Sequence, residues 1–116
     1  MSTTFAERMA DGARADLAAA EVAARAVLAG KTAKLWIFGS QARGDARLRS
    51  DIDIAVEVLG DGQTAAELGH GTLTALRAAF DEAPILRRID VVDLHRASMP
   101  LLENIRREGQ LWIASP

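Results

Sequence analysis

The apolar positions of this chain follow two periods. Residues 5–29 place Phe5, Met9, Ala13, Leu17, Ala20, Ala24 and Val27 at helical spacing, with Gly30 positioned to end the run. This predicts one long alanine-rich amphipathic helix, weakened at Gly12, whose small side chains suit close packing on a sheet. Residues 34–38 form a short apolar, β-branched and aromatic run that stops at Gly39, the pattern of a buried strand entering a sharp turn. Residues 51–58 alternate with period two, which sends Ile52, Ile54, Val56 and Val58 to one face and Asp51 and Asp53 to the other. After a turn at Gly60, Asp61 and Gly62, residues 65–80 read as largely helical, with Leu68, Leu73, Leu76 and Phe80 facing inward. Gly69, His70 and Gly71 interrupt that helix or open a loop before it, and His70 reads as a surface residue. Pro84 closes this region. Residues 89–94 make a third strand, residues 98–107 a helix with Pro100 in its first turn and Gly109 past its end, and residues 110–113 a final strand. Strands alternating with helices predict an α/β (α+β) fold, a small mixed sheet of three to four strands covered by helices.

Composition narrows the function classes. Residues 1–116 are expected to form a single domain, with no room for a second substrate-binding domain, so something else must help hold an acceptor. The absence of cysteine excludes disulfides, thiolate metal sites and a cysteine nucleophile, and fits a reducing compartment. His70 and His95 are far apart, which argues against a zinc site. A net charge of −2 argues against binding of long nucleic acid, which leaves a basic footprint. No apolar stretch approaches the roughly 18 residues of a membrane span, and the first residues show no signal-peptide pattern, so a soluble, cytoplasmic protein is expected.

The chemistry concentrates between Phe38 and Val56. Gly39 allows a ligand to approach the backbone closely, and Ser40 offers a hydroxyl. If residues 41–43 form a helical turn, Ser40 sits at its N-cap with free backbone N–H groups directed at an anion. That is a grip for a triphosphate. Arg43, Arg47 and Arg49 lie close by in sequence and would offset its charge, although Arg47 and Arg49 also fit a solvated basic loop. Asp51 and Asp53 stand side by side on one strand face, their Cα atoms roughly 6.5 to 7 Å apart. Such a pair can bridge two cations about 3.5 to 4 Å apart, as in-line phosphoryl and nucleotidyl displacements require. Hard oxygen ligands beside a phosphate site imply Mg²⁺, two ions, with Mn²⁺ as a substitute.

Gly39-Ser40, the stretch from Ala42 to Asp45, and Ser50-Asp51-Ile52-Asp53 together resemble the minimal nucleotidyltransferase branch of the DNA polymerase β-like superfamily. Its signature is a Gly-Ser, a short spacer, and Asp-x-Asp on the next strand, and the resemblance covers nearly the whole chain. It implies the nucleotidyltransferase fold and a third metal-binding acid from a neighbouring strand, which Asp90 or Asp93 must supply. The family places that acid near the start of the strand, which matches Asp90. Alternation puts Ile89 and Val91 opposite Asp90, so Asp90 can join Asp51 and Asp53, while Asp93 is explained as a strand-end residue turned to solvent. The implied roles are Asp51 and Asp53 on both metals and Asp90 on the catalytic one. Gly39 and Ser40 would hold the β- and γ-phosphates. Arg43 would neutralise charge there, or else pair with Asp45.

The resemblance further implies transfer of a nucleoside monophosphate, AMP from ATP, to a hydroxyl. Free-standing members of this size pair with a small all-helical HEPN-type protein and act as its antitoxin by adenylylating a toxin tyrosine. One alternative is the catalytic subunit of a two-component enzyme acting on an aminoglycoside-like small molecule. Another is a non-catalytic antitoxin or binding module. Clustered carboxylates that repel one another without cations count against a disused site. Exposed apolar surface for a partner is expected on the first helix and around Leu111, Trp112 and Ile113.

Overall fold

A computed structural model describes residues 11–59 and 62–115; Phe5, Met9, Gly60 and Asp61, to which the patterning assigned roles, lie outside them. Helix α1 (Asp11–Leu28) buries Ala13, Leu17, Ala20, Ala24 and Leu28, a stripe recurring every three or four residues. Gly30, at φ 78°, ends it, with the Lys31 N–H donating to the Leu28 carbonyl at 2.9 Å. Gly12 has a packing role: a Cβ there would meet the Arg87 guanidinium at 2.9 Å.

The strands are β1 (Ala33–Phe38), β2 (Ile52–Val58), β3 (Ile89–Asp93) and β4 (Gln110–Ser115), joined in one mixed sheet of order β3-β2-β1-β4. β1 is antiparallel to both neighbours, while β2 and β3 are parallel and so need a crossover. Helix α3 (Gly62–Glu82) supplies it, and helix α2 (Ser40–Arg43) is the single turn after β1.

Each face of the sheet carries its own cluster. Leu35, Ile37, Ile52, Ile54, Val56, Val58, Val91 and Ile113 pack beneath α1 and α3, and each fully buried Ile or Leu contributes roughly 1.5–3 kcal/mol. On the other face Phe38 and Ala55 meet Ile105 of helix α4 (Met99–Glu108), with Trp36, Val92, Leu94 and Leu101 around them. Asp53 and Asp90 have the parity of Ala55 and Val92, so they lie on the α4 face. α4 starts as its sequence predicts: Ser98 caps it, accepting from the Leu101 N–H at 3.4 Å, and Pro100 lies in the first turn.

Two expectations are corrected. The Gly69-His70-Gly71 segment does not interrupt α3, which runs through it. Thr72, Leu76 and Phe80 form a buried i, i+4, i+8 row, and that packing outweighs the roughly 1 kcal/mol helix penalty of each glycine; His70 is exposed. Asp93 does not turn to solvent. It is buried, accepts the His95 N–H at 3.0 Å and faces Arg96 at 3.8 Å, capping the 3-10 turn Leu94–Arg96.

A buried ion pair joins α1 to the loops that precede β2 and β3. Asp16 accepts from the Leu86 N–H at 3.1 Å, the Arg87 N–H at 2.9 Å and the Arg87 guanidinium at 3.1 Å. Burial alone would raise the Asp16 carboxyl, but these donors outweigh it and hold it below its ordinary pKa. The other arm of Arg87 donates to the Leu48 carbonyl at 2.8 Å, and the Ile52 N–H donates to the Arg88 carbonyl at 2.9 Å. The two loops are therefore held together.

Candidate active site

Gly39 leaves β1 at φ 74° and ψ −156°, a conformation open to glycine. It is needed for a second reason: a Cβ at this position would collide with the Asp53 carboxylate. Antiparallel pairing sets Phe38 directly opposite Asp53, so the turn after β1 and the carboxylate of β2 are forced together. Gly39 itself is the N-cap of α2, and no side chain caps it. This corrects the placement of Ser40, which is the first helical residue; its carbonyl accepts from the Gly44 and Asp45 N–H groups at 3.0 and 3.2 Å. Gln41, buried under the turn, donates to the Ser50 carbonyl at 3.2 Å and ties the turn to the segment that enters β2.

Asp53 and Asp90 are register partners on adjacent parallel strands, about 4.8 Å apart in the usual strand spacing. Asp51 lies two residues upstream, exposed and just outside β2. The Asp53 carboxyl is pushed up to about 6, first by burial, then by the charges of Asp90 and Asp51; Arg43 pulls it the other way and Glu108 adds a further push. Excess negative charge of this kind is what a cation relieves. Among the described residues no group of three or more His, Cys, Asp or Glu side chains is already gathered to hold a metal ion. Mg²⁺ takes one or two carboxylates directly and completes its octahedron with water and substrate phosphates. Asp51, Asp53 and Asp90 are the groups that could hold it.

The sequence reading found no role for Glu108. At the end of α4 its carboxylate accepts from the Gly39 N–H at 3.2 Å and from the Arg43 guanidinium through both oxygens at 3.1 Å. Arg43 also donates to Asp45 at 3.2 Å, the pairing weighed above as the alternative to charge neutralisation. Glu108 thus occupies the Gly39 N–H and the Arg43 guanidinium, and only its position before Gly109 marks it in sequence. Arg47 and Arg49 do not close on the turn: both are exposed, and Arg49 lines a groove beside Asp51.

A four-stranded mixed sheet with a glycine turn facing an Asp-x-Asp strand is a nucleotidyltransferase architecture. The profile of the polymerase β nucleotidyltransferase family matches residues 25–115, and the chain belongs to that family. Among solved structures it is similar to a chain of a toxin-antitoxin complex crystallised with AMP-PNP, at 26% identity and a TM-score of 0.53, covering 82% of this chain and 73% of that one. It is similar to a chain of a toxin-antitoxin MntA-HpeT variant at 26% identity and a TM-score of 0.51, covering 82% and 72%. A third, provisionally described as a minimal nucleotidyltransferase, has 27% identity and a TM-score of 0.51, covering 81% and 90%. No curated protein matches the chain. Among the described residues, no helix is long and apolar enough to cross a membrane.

Proposed function

We propose that this chain transfers AMP from ATP, with Mg²⁺, to a hydroxyl of a small helical HEPN-type toxin that it serves as antitoxin. The observation that carries this reading is the order of functional groups across the sheet. The turn at Gly39 follows β1, Asp53 stands on β2 with Asp51 just before that strand, and Asp90 stands on β3. In-line displacement would use that order, with the leaving group at the turn and the acceptor on the side of β3.

The Gly39 N–H and Arg43 would bind the outer phosphates, and Asp51, Asp53 and Asp90 would hold the cations. Mg²⁺ held by these carboxylates would supply charge neutralisation for the pyrophosphate and acidity for the acceptor hydroxyl. The acceptor O–P bond forms as the α–β bridging bond breaks, and the acceptor proton passes to water. The similarity to a complex holding an ATP analogue supports adenosine, and the toxin-antitoxin setting of two relatives supports a protein acceptor.

Calorimetry with ATP, with and without Mg²⁺, followed by mass spectrometry of the partner after incubation, tests the reading. Binding should require the cation, and one AMP should appear on a partner hydroxyl. Metal-independent affinity, or none, would remove it.

Glu108 gives a second expectation. Its carboxylate must leave the Gly39 N–H and Arg43 before phosphate can take them. Glu108→Gln should therefore tighten Mg-ATP binding by about tenfold, the size of one charge-assisted hydrogen bond lost from the free state. Weaker binding in the variant would instead assign Glu108 to holding the cation.

A further inference from the structure

A groove of about 500 Å³ beside Asp51 is lined by Leu48, Arg49, Asp51, Leu86, Arg87 and Arg88. Its two leucines are conspicuously bare, Leu48 at 74% exposure and Leu86 at 93%. They come from separate loops, yet these are not slack: Arg87 donates to the Leu48 carbonyl while Asp16 holds the Leu86 and Arg87 N–H groups. The charge of Arg87 is answered inside the protein by Asp16. Arg49 and Arg88 have no hydrogen-bond or ion-pair partner for their guanidinium groups among the described residues. Arg88 also lines a cavity of about 460 Å³ that reaches Asp90. The groove at Asp51 and the cavity at Asp90 therefore adjoin, sharing Arg87 and Arg88 as walls.

We propose that this groove docks the acceptor, and that its occupant is a polypeptide segment presenting an apolar side chain and carboxylates beside the hydroxyl to be modified. The inference rests on the transferase reading above and names the chemistry of its acceptor. An apolar side chain is needed to take Leu48 and Leu86 out of water, and two guanidinium groups select carboxylates. Because the loops are pinned, little ordering opposes binding. A nucleic acid would satisfy the arginines but leave both leucines in water. A polycationic small molecule would leave both leucines in water and Arg49 and Arg88 without a counter-charge.

The test uses the full chain with Mg²⁺ and ATP and synthetic peptides that each carry one tyrosine. The flanks are glutamate with leucine, lysine with leucine, or glutamate with glycine. Transfer is followed by mass spectrometry, and ATP affinity by calorimetry. The glutamate-leucine peptide should have a KM at least about tenfold below the other two. Leu86→Asp should raise that KM with kcat held. Arg88→Glu should do the same and shift preference toward the lysine-flanked peptide, and neither substitution should alter ATP affinity. The proposal is overturned by a KM indifferent to flanks, by Arg88→Glu weakening ATP instead of peptide, or by preferential transfer to an RNA oligonucleotide or an aminoglycoside. If the chain binds Mg-ATP yet neither binds nor modifies any peptide, the docking inference falls while nucleotide binding stands. If it does not bind Mg-ATP, the transferase reading fails, and fluorescence anisotropy of the same peptides against Arg88→Glu still decides the groove.

Discussion

Asp53→Asn is expected to yield a folded protein whose transfer rate has dropped by about 10³-fold, the loss that follows from withdrawing roughly 4 kcal/mol of metal-centred transition-state stabilisation. The amide keeps the shape that fits against Gly39 but not the charge that holds a bridging cation. Stability should move the other way. The folded carboxyl titrates at about 6 against an ordinary 3.8, so the stability linked to its protonated form is present below about pH 3.8 and lost as pH rises through 6. In EDTA above pH 6 the parent carries an ionised, half-buried Asp53 facing Asp90 and Asp51, and the variant does not. The variant should be more stable there, by on the order of 1 kcal/mol after allowance for solvent screening, and the gap should close below about pH 4. Melting curves in EDTA across pH, set beside transfer assays in Mg²⁺, check both halves. A variant that melts well below the parent at pH 8 in EDTA would give Asp53 a structural role instead.

Arg87→Ala should be the most damaging substitution for the fold outside the apolar core. Asp16 and Arg87 expose only 5% and 9% of their side chains, so removing the guanidinium leaves a buried carboxylate with only backbone donors. Breaking a buried pair from one side costs about 3–5 kcal/mol, and the surviving Leu86 and Arg87 N–H bonds place this case near the lower figure. A drop in Tm of roughly 10 °C follows for a domain of this size. The contribution of Asp16, whose carboxyl is depressed, is present above its ordinary pKa and lost as pH falls through the folded value. The variant should therefore lose less stability on acidification than the parent. Because Arg87 also holds the Leu48 carbonyl, the loops beside Asp51 and Asp90 should loosen, and amide exchange there should quicken. A Tm within about 2 °C of the parent would show that the pair contributes little beyond its backbone bonds.

Local chemistry made much of this protein legible. Period-two alternation marked β2 and the faces of its residues, and Gly39 showed the turn, since few other residues accept a positive φ. The same alternation placed Asp53 on the face opposite Ile52 and Ile54, where it meets Asp90. The same local reading misjudged Gly69 and Gly71, because helix propensity is weak beside the packing of Thr72, Leu76 and Phe80. It placed Asp93 in solvent because a strand end gives no sign of the 3-10 turn it will cap.

What the sequence by itself determined is the set of elements and the residues that carry their chemistry, because side-chain alternation, turn conformation and capping are settled within a few residues of chain. The tertiary structure alone decided which of them meet. Asp90 became the neighbour of Asp53 only through parallel pairing across the α3 crossover. Glu108 reached Gly39 across 69 residues, and Arg87 reached Asp16 across 71. Such contacts depend on where whole apolar faces come together, and periodicity within one element holds no information about the partner that will cover it.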